Sequence, residues 1–87
     1  NLAKSEMYHV YPNPSTGRFN ITFNGEKSRE ASIKLYNING EEKILHPRVT
    51  LYKGSTIDLH LNNYTPGIYI LKIISGDEIF TEKIIKK

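Results

Sequence analysis

Apolar and polar residues alternate with a period of two along most of this chain. Over Arg18 to Asn24, Phe19, Ile21 and Phe23 alternate with Arg18, Asn20, Thr22 and Asn24. Over Glu30 to Ile38, Ala31, Ile33 and Leu35 alternate with Ser32, Lys34 and Tyr36. Over Thr56 to Asn62, Ile57, Leu59 and Leu61 alternate with Asp58, His60 and Asn62. Successive side chains of a strand point to opposite faces, so each run predicts a strand with one buried face. The stretch Ile68 to Ile74, interrupted by Lys72, is apolar on both parities and predicts a central strand. Glu78 to Lys86 is the last β-rich run.

Turn chemistry falls between these runs. Asn24-Gly25 and Asn39-Gly40 are dipeptides that tolerate positive φ in two-residue hairpins. Thr65-Pro66-Gly67 fits a tight turn before Ile68, and Ser75-Gly76-Asp77 fits a hairpin joining the last two strands. Pro12-Asn13-Pro14-Ser15-Thr16-Gly17 predicts a fixed loop, because each proline removes a backbone donor and biases the preceding residue toward extended geometry. Pro47 makes Lys43 to Leu51 an edge or a broken strand. The count is about seven short strands with no convincing helix, the pattern of a two-sheet sandwich or small barrel. Asn1 to Glu6 has no pattern and reads as a linker tail, which leaves residues 7–87 as the folded domain.

Composition narrows the function. With 87 residues there is room for one domain and one core, and a catalytic cleft with its supporting shell would be hard to fit. The absence of cysteine removes disulfides and thiolate zinc sites, and leaves the redox compartment open. The net charge of +3 comes from scattered lysines and arginines that gather only at Lys83, Lys86 and Lys87. A nucleic-acid binder carries a basic stripe with interleaved aromatics, so no nucleic-acid partner is expected. No apolar run approaches the roughly 20 residues of a membrane helix, and no direct membrane insertion is expected. The start Asn1-Leu2-Ala3-Lys4 has neither an initiating Met nor an apolar stretch, so the expectation is a chain cut from something longer.

The chemistry-bearing residues assemble into nothing catalytic. His9, His46 and His60 lack the spacing of a helical metal site, and no cofactor is expected. Asp58 and His60 share a strand face and read as solvated residues rather than half an acid–base pair. Glu41 and Glu42 face opposite sides of a strand, which suits edge protection. The six tyrosines offer a sugar- or peptide-binding surface, or rings in the core with hydroxyls at the rim. The second arrangement is the commoner one in sandwiches.

The order of these pieces resembles one family. Tyr11-Pro12-Asn13-Pro14, then Gly17, then Phe19-Asn20-Ile21 looks like the opening of the type A C-terminal sorting domain of type IX (Por) secretion cargo proteins. Ala31 to Gly40 looks like its middle hairpin. Ile57-Asp58-Leu59, Leu61 and Pro66-Gly67-Ile68-Tyr69-Ile70-Leu71-Lys72-Ile73 look like its most recognisable segment. Glu82-Lys83-Ile84-Ile85-Lys86-Lys87 is similar to its basic-apolar close. The stretch Glu42 to Ser55 carries no family signature.

The resemblance implies an all-β fold, an immunoglobulin-like seven-stranded antiparallel β-sandwich. It implies a sorting signal rather than an enzyme. The partners implied are an N-terminal cargo domain, type IX secretion outer-membrane components, and a sortase that removes the domain. The implied route runs through the periplasm to the cell surface or the medium. Partner recognition is expected at the end of the last strand, Lys83, Ile84, Ile85, Lys86 and Lys87, where charge can steer an acidic partner. Pro12, Asn13, Pro14, Gly17, Gly40, Pro66, Gly67 and Tyr69 are expected to shape the fold. The rival reading is an accessory carbohydrate- or protein-binding β-sandwich of a secreted enzyme, marked by an exposed coplanar pair of tyrosines.

Overall fold

A computed structural model describes residues 7–87. The linker reading of residues 1–6 lies outside the described residues. Seven strands follow in chain order: β1 (Tyr8–Tyr11), β2 (Arg18–Phe23), β3 (Arg29–Tyr36), β4 (Glu42–Leu51), β5 (Thr56–His60), β6 (Gly67–Ser75) and β7 (Glu78–Lys86). They form two antiparallel sheets, a smaller one ordered β1-β2-β5 and a larger one ordered β4-β3-β6-β7. The alternation read from the sequence sets the core. Phe19, Ile21 and Phe23 of β2 face Ile33 and Leu35 of β3 and Leu71 and Ile73 of β6, all essentially inaccessible to solvent. Burying each such side chain contributes about 1.5–3 kcal/mol, and this interior is what holds the two sheets face to face.

Tyr69 closes one corner. Its ring is buried at the start of β6, and its hydroxyl donates to the Thr65 carbonyl at 2.5 Å. A tyrosine bonded back to the chain just before its own strand is the corner found in immunoglobulin-like sandwiches. The fold is therefore the all-β immunoglobulin-like sandwich expected.

Two turns differ from the sequence expectation. Asn24-Gly25 makes no hairpin, because β2 and β3 lie in different sheets. Gly25 has no positive φ; a Cβ there would overlap the Phe23 ring, which is wholly buried. The glycine is needed for close approach, not for a turn. Asn39-Gly40 lies in a three-residue loop instead of a two-residue one: Gly40 N–H donates to Asn37 O at 3.0 Å and Asn37 N–H to Glu41 O at 3.2 Å. Only Gly40, at φ 81°, enters the left-handed region, as in a turn closed by a bulge. Gly76-Asp77 does form the two-residue hairpin between β6 and β7, with Ser75 opposite Glu78.

The β4 strand is the outer strand of the larger sheet, and its register against β3 slips on both sides of Ile33, next to Pro47. Proline removes a ladder donor, and bulges blunt an edge against unwanted pairing.

At the other end of the larger sheet, Arg29 joins three strands. Its guanidinium hydrogen-bonds the Glu78 carboxylate, lies 5.6 Å from the Phe23 ring centre and neighbours Tyr8. The bond to Glu78 pushes the guanidinium above its ordinary value, so Arg29 stays charged. Burial pushes the Tyr8 phenol above its ordinary value of 10.0, against the pull of the Arg29 charge. The unfolded chain gives up that proton first, so this stability is complete below pH 10.0 and is lost as pH rises through the folded-state value. Tyr8→Phe is expected to flatten the fall of melting temperature above pH 10.0. Parallel falls in the two proteins, followed by thermal melts, would assign the alkaline loss elsewhere.

Candidate recognition surface: the clasped C-terminal strand

The five residues expected to be read by a partner all lie in β7 or directly after it, and alternation divides them. Ile84 is fully buried and Lys86 is 7% exposed, so both point inward with Phe80. Lys83 and Lys87 are exposed and Ile85 is half-buried on the other parity. Sequence reasoning missed the buried Lys86. The signal was its parity with Phe80 and Ile84; an aliphatic stem can follow the core while the ammonium finds an acceptor at the rim. Here Nζ reaches the Lys87 carbonyl at 3.4 Å.

The Pro12–Gly17 loop runs alongside this strand and clasps it. Asn13 Nδ2 donates to the Lys83 carbonyl at 2.9 Å, and Asn13 Oδ1 accepts from the Ile85 amide at 3.0 Å. The side-chain amide thus stands where the peptide group of a neighbouring strand would be. The ladder then passes to the backbone. Ser15 N–H donates to Ile85 O at 3.0 Å and Lys87 N–H donates to Ser15 O at 2.8 Å, a one-residue parallel bridge between Ser15 and Lys86. Pro12 and Pro14 lie in this loop beside exposed surface, and both follow cis peptide bonds.

Local bonds hold the loop in shape. Ser15 is buried; its hydroxyl donates to Arg18 O at 2.6 Å and accepts from Gly17 N–H at 3.2 Å. Gly17 O accepts from Leu61 N–H at 2.6 Å. A Cβ on Gly17 would come within 3.1 Å of the Asn62 backbone, and the φ of 156° is one that other residues rarely adopt. Gly17 therefore permits the loop to lie against the chain leaving β5.

The clasp fixes which part of the β7 edge is open. Ile85 and Lys87 spend their outward backbone groups on Asn13 and Ser15. In an antiparallel ladder, alternate residues turn their N–H and C=O away from the partner strand. By this register Ile79 and Thr81 and the Lys83 amide face outward, beyond the reach of the clasp. An open edge over the whole last strand is thereby reduced to its first half.

Two of the candidate groups away from β7 have partners of their own. Asp58 pairs with Arg18 at 3.1 Å rather than with His60, and His9 stacks on Tyr11 with ring centres 4.9 Å apart. A cleft of about 570 Å³ opens between the β3–β4 hairpin and the loop before β6, lined in part by Asn37, Glu41, Lys43, Asn63 and Tyr64. Its Glu41 accepts from Asn37 Nδ2 at 2.6 Å. Among the described residues no group of three or more His, Asp or Glu is placed to hold a metal. Tyr8 and Tyr69 are core rings, Tyr11 and Tyr52 are exposed, and none of the close aromatic pairs among the described residues joins two exposed tyrosines.

A family model described as "Secretion system C-terminal sorting domain" matches residues 9–87, which takes in both the clasping loop and the strand it clasps. The chain belongs to the secretion system C-terminal sorting domain family. No curated protein matches the chain. A sorting domain of type IX secretion is a non-catalytic tag, handled by the secretion system together with an attached cargo and bound for the cell surface or the medium.

Proposed function

We propose that this sorting domain carries its cargo through the periplasm and across the outer membrane, that outer-membrane components of the type IX system read its C-terminal strand, and that a sortase then removes it by cutting ahead of the fold. The family match over residues 9–87 carries the reading. The geometry supports the choice of strand. The open backbone of Ile79 to Lys83 suits strand addition to a partner's sheet, where main-chain bonds supply affinity on cargo of any shape. Lys83 and Lys87 lie exposed beside it, while Ile84 and Lys86 hold the strand in register from within.

The test is export of a periplasmic reporter in a type IX-competent host. With the whole chain fused to its C-terminus the reporter is expected in the medium or on the surface; the bare reporter is expected to stay in the periplasm. A triple Lys83→Gln, Lys86→Gln, Lys87→Gln variant that folds and is exported at the normal rate would remove charge from the reading. Terminal sequencing of exported material is expected to place the cut within residues 1–6 or upstream. A cut inside Tyr11–Lys87 would contradict removal by a sortase ahead of the fold. Retention of a folded intact fusion would sink the sorting role in that host and favour an accessory binding module.

A further inference from the structure

The outer face of the larger sheet is unusually apolar. On β6, Tyr69, Leu71 and Ile73 are buried, so Ile68, Ile70, Lys72 and Ile74 point away from the core. On β7, Phe80 and Ile84 are buried, so Ile79, Thr81, Lys83 and Ile85 share that outer face. The ladder sets them in rows: Ile68 beside Ile85, Ile70 beside Lys83, Lys72 beside Thr81, and Ile74 beside Ile79. On the far side Tyr36 adjoins Ile70, and Ile44 adjoins Lys34. Ile44 is 53% exposed, Ile68 44% and Ile79 47%. An antiparallel sheet with one solvated face is normally polar on that side. The double-parity apolar pattern of β6 thus describes a central strand with one face on the core and the other covered by no strand among the described residues.

Charge says what kind of surface would suit it. Lys34 and Lys72 lie directly opposite each other, an arrangement that costs stability. Lys34 is relieved by Glu42 at 3.6 Å, whereas Lys72 lies over the Tyr36 ring at 4.8 Å. Among the described residues neither Lys72 nor Lys83 has a carboxylate within salt-bridge distance. The carboxylates of this face, Glu30 and Glu42, are taken by Arg48 and by Lys34 with Tyr36. A second copy of the chain therefore fits poorly, since a two-fold pairing would bring like charges together. A lipid surface also fits poorly, because Lys72 lies amid the isoleucines, where a bilayer supplies no partner. A protein can place a carboxylate there.

We propose that the outer face of the larger sheet, centred on Ile68, Ile70, Lys72, Ile79, Lys83 and Ile85, docks a protein partner whose contact surface is an apolar patch set with carboxylates. The inference rests on the sorting reading and names a second element that the secretion machinery holds. It concerns a sheet face, distinct from the backbone edge of β7.

The test uses the whole chain fused to the reporter. Ile68→Ser with Ile79→Ser removes apolar contact, and Lys72→Glu with Lys83→Glu reverses charge without touching the core. Lys27→Glu, exposed and away from this face, is the charge control. Both double variants are expected to retain the native melting transition and lose export by tenfold or more, with Lys27→Glu unchanged. If the unmodified fusion is not exported, the sorting reading has failed and this inference with it. If that fusion is exported and both folded double variants are exported equally well, the docking face is refuted while the sorting role stands. If the isoleucine variant misfolds, the charge variant decides alone. Sedimentation of the free protein and co-flotation with phosphatidylglycerol vesicles close the remaining routes. Self-association or vesicle binding abolished by the same substitutions, with export intact, would overturn a protein partner in favour of a second copy or a lipid.

Discussion

A chain lacking Glu78–Lys87 is expected to be unfolded at 25 °C, and a reporter bearing it is expected to stay in the periplasm. The strand removed buries Phe80 and Ile84, pairs with β6 along its whole length, and supplies the Glu78 partner of Arg29. Two large apolar side chains withdrawn from the core amount to about 3–6 kcal/mol of lost burial. Their removal also uncovers Tyr8, whose ring centre lies 4.8 Å from that of Phe80, and turns β6 into an edge. A domain of this size holds about 4–13 kcal/mol in total, so the loss is comparable to everything available. Circular dichroism and amide dispersion in NMR spectra measure it. A cooperative melt and a dispersed spectrum in the truncated chain would show that β7 is an appendage to the core, and would turn the clasp into a local ornament. The smaller changes at Lys72 and Lys83 then separate contact from fold, because they leave the interior alone.

How much of this was legible follows from what each feature is made of. Alternation in β2, β3 and β5 is a side-chain pattern, so Phe19, Ile21, Ile33, Leu35 and Leu59 could be placed inside from sequence and are buried. Pro47 announced the edge position of β4 because a missing donor is a property of the residue itself. The clasp was hidden for the opposite reason. Asn13 bonds the carbonyl of Lys83 and the amide of Ile85, groups that every residue there would offer, across about seventy positions of chain. Gly25 was misread as a turn because nothing in Asn24-Gly25 reveals that a buried phenyl ring occupies the space beside it. The apolar outer face was visible in Ile68 to Ile74 but fits a strand covered on both sides. Only the two-layer topology shows that no second sheet covers it among the described residues.

The opening loop and the closing strand form one unit. Pro12–Gly17 shields the far end of β7 and leaves its first half open, so under the proposed reading a partner meets the same short edge only when the domain is folded. Edge strands invite mispairing, and occupying part of the edge with a side-chain amide and one residue of backbone is a way to limit it. On the proposed route through the periplasm, this limits pairing of the domain with its neighbours.

Asn13→Ala is expected to lower stability by about 1–2 kcal/mol, the loss of two partly solvated hydrogen bonds. At roughly 4–8 °C per kcal/mol for a domain of this size, the melting temperature falls by on the order of 10 °C. Asn13→Asp is expected to cost at least as much. Its carboxylate still accepts from the Ile85 amide, but it has no hydrogen to give the Lys83 carbonyl and sets negative charge against it. Hydrogen exchange locates the effect. The Ile85 amide, whose acceptor is Asn13, should exchange faster than in the native chain in Asn13→Ala and keep its protection in Asn13→Asp, whose carboxylate still accepts from it. The Ile84 amide, turned toward β6 by the register, should keep its protection until global unfolding. Uniform acceleration at both amides would mean that Asn13 supports the whole sandwich. No change at Ile85 in Asn13→Ala would mean that Ser15 alone holds the strand, and the asparagine in the Pro12–Gly17 loop would lose its assigned part.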